Sequence, residues 1–142
     1  MEHWSLIYKK IYVLGAGAVG CYFGGMLARA HHDVTFIARS ERTKALNESG
    51  LEMDCKAFHE TIAVKASAEL SILSDADLVL LSVKSLDTER MLAQVQSILP
   101  SKAVILSLQN GVANIEIASK VVANPIYAAV VYVAAGMIGQ AT

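Results

Sequence analysis

Ile11-Tyr12-Val13-Leu14-Gly15-Ala16-Gly17-Ala18-Val19-Gly20 is an apolar run that breaks into a Gly-x-Gly-x-x-Gly turn, and the residues after it continue in helical rhythm. Strand, glycine turn and helix in that order form the start of a dinucleotide-binding βαβ unit. Gly15 permits the tight turn, Gly17 lets backbone approach a pyrophosphate, and Gly20 lets the helix press on the strand. Ala16, Ala18 and Val19 complete the turn, and the helix aims its N–H groups and positive dipole end at the phosphates. From Ala18 to Ala30 the apolar residues Val19, Phe23, Met26, Leu27 and Ala30 share one face. Gly24 falls on the same face as Gly20. Glycine inside a helix is about 1 kcal/mol less favourable than alanine, so its presence predicts close helix–sheet contact.

After a short loop at His31-His32-Asp33, Val34–Ala38 reads as the second strand, and what ends it selects the cofactor. NAD-type sites carry an acidic residue there that accepts hydrogen bonds from the ribose. Here the segment is Ala38-Arg39-Ser40-Glu41-Arg42-Thr43-Lys44. Arg39 offers a planar fork to a 2′-phosphate and a face to stack on adenine, which favours NADP(H). Ser40 adds a hydroxyl donor. Arg42 and Lys44 are either further cations for the phosphate or solvated charges at a helix start, and Glu41 is the residue that would speak for NAD.

The rest of the chain alternates strands and helices. Glu41–Ser49 is a short helix closed by Gly50, Leu51–Ala63 a hairpin, Ser67–Leu73 a helical turn and Asp77–Leu81 a buried strand. Asp87–Ile98 is an amphipathic helix before Pro100, Ala103–Leu108 a strand, Val112–Val122 a helix, and the uncharged stretch from Ile126 to Ile138 one or two buried strands. That alternation predicts an α/β, Rossmann-type doubly wound, mostly parallel sheet with helices on both faces. Residues 1–9 read as an N-terminal extension and 10–142 as one NADP-binding domain.

Composition narrows the class. Of 142 residues 54% are hydrophobic and only two are proline, as suits parallel strands buried on both faces. A net charge of −1 and a pI near 6.4 give no electrostatic reason to expect nucleic acid. Met1–Tyr8 lacks the apolar core of a signal peptide, and Ile126–Ile138 is too short for a bilayer-spanning helix, so no membrane role is expected. Cys21 and Cys55 make neither a metal-ligand spacing nor a disulfide framework, which suits a reduced, cytoplasmic setting.

In doubly wound sheets ligands bind beyond the carboxyl ends of the strands. Ser82-Val83-Lys84-Ser85 and Gln109-Asn110-Gly111 follow two such ends. A lysine there can donate to a ribose hydroxyl, a carboxylate or a developing alkoxide, and an asparagine can both donate and accept. By position alone a solvated lysine and an Asn-Gly turn remain open.

The set Gly15-Ala-Gly17-Ala-Val-Gly20, Phe36-Ile-Ala-Arg39, Val83-Lys84-Ser-Leu-Asp87-Thr88 and Leu108-Gln109-Asn110-Gly111-Val112 resembles the ketopantoate reductase (2-dehydropantoate 2-reductase) family from about Lys10 to the last residue. The resemblance implies NADPH-dependent reduction of 2-dehydropantoate, a small 2-oxo acid, to pantoate on the way to pantothenate. It implies the pyrophosphate at Gly15, Gly17 and Gly20, the 2′-phosphate at Arg39, and Lys84 and Asn110 at the nicotinamide ribose and substrate, Lys84 in a supporting catalytic role. It also implies a second, helical domain carrying the catalytic lysine, for which the sequence to Thr142 leaves no room. Poor turnover by this chain alone is the expectation, with a homodimer or a chain supplying that domain as partner. The alternatives are a non-catalytic NADP-binding module and a related dehydrogenase for another 2-oxo acid.

Overall fold

In the computed structural model, which describes residues 9–83, 87–108 and 113–128, the chain alternates as its pattern predicts. It runs β1 (Lys10–Leu14), α1 (Ala18–Arg29), β2 (Asp33–Ile37), α2 (Ser40–Ser49), β3 (Leu51–Asp54) and β4 (His59–Ile62). There follow β5 (Lys65–Ser67), a 3₁₀ helix (Leu70–Asp75), β6 (Leu78–Leu81), α3 (Thr88–Val95), β7 (Val104–Ser107), α4 (Ala113–Val121) and β8 (Ile126–Ala128). Six strands form one sheet in the order β5-β2-β1-β6-β7-β8, and every pairing in it is parallel. The fold is a Rossmann-type doubly wound sheet.

Strand periodicity of two separates the side chains into two cores. Ile11, Val13, Val34, Phe36 and Leu80 point to one face with α1 and the β3–β4 hairpin, among Cys21, Leu51 and Met53. Tyr12, Leu14, Val79, Leu81 and Ile105 point to the other, under α3 and α4, among Leu92, Val95, Ala118 and Val122. Gly24 of α1 sits where a Cβ would lie 2.8 Å from both Phe36 and Val13, the close helix–sheet contact that the glycine predicts. The antiparallel hairpin stays out of the main sheet and packs on a neighbouring face of α1, Leu51 and Met53 meeting Gly25 and joining the same core. Arg29, at the end of α1, grips it with a two-nitrogen pair to Glu60 at 3.0 and 3.1 Å while lying over the Phe58 ring.

Helix α1 ends without glycine. His31 takes φ +70°, and the His31 and His32 amides donate to the Ala28 and Leu27 carbonyls, closing a Schellman turn. Gly50 (φ +77°) ends α2 as predicted.

Three expectations need correction. The helical turn expected over Ser67–Leu73 is present but shifted, as the 3₁₀ helix Leu70–Asp75, and Ser67 instead ends the short strand Lys65–Ser67, which pairs beside β2. The helix expected over Asp87–Ile98 is regular only from Thr88 to Val95, and the residues after it turn. Ile126 begins a strand as expected, the last of the sheet among the described residues, but Ile126–Ala128 is not buried there, with Tyr127 60% exposed; the remainder of that apolar stretch lies outside the described residues. No helix among the described residues is long and apolar enough to cross a membrane.

Candidate functional site

Strand order reverses at β1, whose neighbours are β2 on one side and β6 on the other. The connection leaving β1 runs towards β2, and the chain later crosses back to β6. A crevice opens at the carboxyl ends where such windings diverge, and the glycine turn stands there. Gly15 takes φ +99°, which side chains rarely adopt, and its amide donates to the Ile37 carbonyl at 3.1 Å. That bond brings the end of β2 against the turn.

The remaining two glycines of the motif differ. A Cβ at Gly20 would lie 2.2 Å from Ser82 Oγ and 2.7 Å from the Gly15 oxygen, so packing within the protein requires glycine. A Cβ at Gly17 would meet nothing within 4 Å, and the residue has ordinary extended dihedrals (φ −78°, ψ −177°). Nothing in the fold itself demands glycine at 17. Gly17 is the N-cap of α1, yet no side chain caps the helix and its first turn holds no acidic residue. The amides of Ala18, Val19 and Gly20 precede the first intrahelical donor, Cys21, whose N–H reaches the Gly17 carbonyl at 2.9 Å. Donors and the positive helix end therefore meet at an exposed turn, the chemistry of an anion site.

Side chains hold the carbonyls of this turn. The Ser82 hydroxyl, just beyond β6, donates to the Gly15 oxygen at 2.8 Å and lies 3.1 Å from the Leu14 oxygen. The Ala16 oxygen accepts from Arg42 Nη2 at 3.1 Å and from the Cys21 thiol at 3.3 Å. Burial pushes the Cys21 thiol pKa up, against the opposing pull of the Arg42 charge. Ser82, Cys21 and Arg42 are the members of the site that sequence reasoning missed or misassigned. Arg42 is half-buried against the glycine turn, on the first turns of α2. Only the one-turn spacing between Arg39 and Arg42 on a helix start beside the motif hinted at it.

Arg39 is the N-cap of α2, exposed, and its side chain makes no hydrogen bond or ion pair among the described residues. It stands two residues beyond Ile37, the residue that the Gly15 amide touches. The structure thus brings Gly15, Ala16, Gly17, Ala18, Val19, Gly20 and Arg39 to one end of the sheet. Lys84 and Asn110 lie outside the described residues. Val83, next to Lys84, follows β6, and Leu108, two residues before Asn110, follows β7; both strand ends lie on this side of the sheet.

Residues 11–142 match the family described as ketopantoate reductase PanE/ApbA. The chain belongs to the ketopantoate reductase family. A 2-dehydropantoate 2-reductase of Pyrococcus abyssi is 40% identical over 106 residues, 74% of this chain and 34% of that protein. The crystal structure of a ketopantoate reductase of this family from Ralstonia eutropha superposes with a TM-score of 0.87 at 45% identity, covering 92% of this chain and 44% of that one. A D-mandelate dehydrogenase solved with NADH and anilino(oxo)acetate superposes with a TM-score of 0.72 at 30% identity, covering 84% and 39%. The chain spans about a third of the length of the curated ketopantoate reductases it matches.

Proposed function

We propose that residues 10–142 form the NADP(H)-binding domain of a reductase that converts 2-dehydropantoate to pantoate. The observation that carries this is the pairing of two features at one sheet end: an uncapped glycine turn whose Gly17 has open space, and an exposed Arg39 one strand over. The donor set fits the cofactor. Backbone amides at a helix N-terminus suit a diphosphate, and a guanidinium suits the 2′-phosphate that distinguishes NADPH from NADH.

A reduced nicotinamide cofactor held there would supply hydride-transfer chemistry for a keto group. The protein must then deliver a proton to the alkoxide and a cation to the substrate carboxylate. We assign Lys84 and Asn110, which follow β6 and β7 in the chain, to the nicotinamide ribose and the substrate end. Because the chain spans a third of its relatives, the reaction is proposed for the protein that carries this domain, acting in pantothenate biosynthesis in a reduced cytoplasm. A homodimer, or a chain that supplies a substrate-binding helical domain, is the proposed partner.

Calorimetry with NADPH and NADH tests the cofactor. A charge-assisted hydrogen bond contributes about 1.5–3 kcal/mol, so NADPH should bind about tenfold or more tightly, and Arg39→Ala should remove most of that preference. Equal affinities in the unmutated chain would overturn NADP(H). The second reading is a dehydrogenase that uses NADH on another 2-oxo acid. The relative solved with NADH and the acidic Glu41 in the first turn of α2 favour it, and the same titration separates the two.

A further inference from the structure

We propose that Arg42 is a positioning residue for dinucleotide binding: by holding the Ala16 carbonyl it fixes the direction of the Gly17 amide. This rests on the proposed function and adds to it a residue that tunes affinity without discriminating between cofactors.

A trans peptide is planar, with its oxygen and its N–H on opposite edges, and no peptide bond among the described residues is cis. A grip on the Ala16 oxygen is therefore a grip on the Gly17 N–H. Arg42 Nη2 donates to that oxygen at 3.1 Å, the Cys21 thiol donates to it at 3.3 Å, and Nη2 lies 3.4 Å from Cys21 Sγ, closing a triangle. Helix α1 cannot provide the same hold. Ala16 precedes the N-cap, and it is the Gly17 carbonyl that accepts the first ladder bond.

Glycine on its carboxyl side leaves φ of residue 17 permissive, which makes the Ala16–Gly17 peptide easier to rotate. Rotated, it would present an oxygen to an anion where an N–H is wanted. With the oxygen turned towards Arg42 and Cys21, the Gly17 N–H points away from them, alongside the amides that open α1. Ser82 acts in the same sense one peptide earlier, through the Gly15 oxygen. Arg42 also sets a full positive charge against the turn. Both effects act on the diphosphate, which NADPH and NADH share. Arg39, three residues before it, acts on the phosphate that only NADPH has.

The test titrates both dinucleotides against Arg42→Met and Arg42→Lys and follows amide hydrogen exchange in the free chain. Arg42→Met should weaken NADPH and NADH alike, by about tenfold, with their ratio unchanged, whereas Arg39→Ala changes the ratio. In the free chain, Arg42→Met should speed exchange at the Gly15–Gly20 amides and leave β1 unaltered. Arg42→Lys keeps a cation and a donor and should recover part of the affinity; it carries the test if the methionine variant does not fold. Unchanged affinity, a loss confined to NADPH, or unchanged exchange at the turn would each overturn the assignment. If the unmutated chain binds neither dinucleotide, the proposed function falls and takes this with it. If it binds both and Arg42→Met is indifferent, the assignment to Arg42 alone falls.

Discussion

At the amino ends of the sheet strands the polar groups answer one another, whereas at the carboxyl ends carbonyls are held and donors are left outward. On the first side the Tyr12 hydroxyl donates to Asp75 at 2.6 Å, and Asp77 accepts the Lys9 and Lys10 amides at 3.0 and 2.9 Å. Asp33 sits between the Lys10 and Lys65 ammonium groups, and Lys10 foremost holds its carboxyl below the usual range. Exposed pairs of this kind add little to stability; their effect is to keep these carboxylates and the Lys10 and Lys65 ammonium groups paired within the protein. On the second side Ser82, Cys21 and Arg42 occupy the oxygens of Gly15 and Ala16, and the helix start goes without a cap. A capping side chain in place of Gly17 would add about a few tenths of a kcal/mol. Helices α2 and α3 also lack a side-chain cap, but Glu41 and Glu89 stand in their first turns; α1 has neither cap nor acid, as suits the proposed anion site.

Gly17→Val is the strongest way to break the contrast. The fold has room for the side chain, so the variant should fold with only a small fall in melting temperature from the poorer N-cap, while NADPH affinity falls more than about a hundredfold as the backbone donors are screened. Normal binding by the folded variant would move the phosphates elsewhere.

Gly20→Ala should do the reverse. Its Cβ has to displace Ser82 Oγ and the Gly15 oxygen, and overpacking of this kind costs about 1–3 kcal/mol, partly offset by about 1 kcal/mol of helix propensity. A lowered denaturation midpoint is the expected readout; an unchanged midpoint would show that the turn is not tightly held.

Tyr12→Phe, at the opposite end, should have the smallest effect: about 1 kcal/mol of stability and no change in nucleotide affinity. Burial, then the bond to Asp75, raises the Tyr12 pKa above its ordinary value of 10.0. The stability linked to this group is therefore fully present below pH 10 and declines as pH rises towards the folded value. Melting curves across about pH 9–11 should show that alkaline loss in the unmutated chain and a flatter profile in the variant. A fall in nucleotide affinity would mean that the two ends of the sheet are not independent.

The parts legible in the sequence are those where local pattern and packing agree. The β1–α1 turn, the Arg39 position and the Gly50 stop could be read because glycine and charge there answer local demands. β5 could not: Lys65-Ala66-Ser67 has weak strand propensity, and its pairing beside β2 is a long-range contact. The exposure of Tyr127 could not be read either, because apolar content does not say which face of a strand is covered. Within the site, the Ser82 and Arg42 contacts join residues 67 and 26 positions apart. No periodicity announces a side chain that crosses from one loop to hold another's carbonyl.

Gly24 and Gly25, neighbours on α1, let the helix be approached from two directions, by Phe36 and Val13 of the sheet and by Leu51 and Met53 of the hairpin. A helix gripped on two faces keeps little freedom to roll or slide. Binding that orders a mobile element loses conformational entropy, and an element already ordered does not. The hairpin, distant from every residue of the glycine turn in sequence, thereby stiffens the helix that opens at the proposed anion site before any ligand arrives, so that part of the affinity proposed for that site would be laid down when the chain folds.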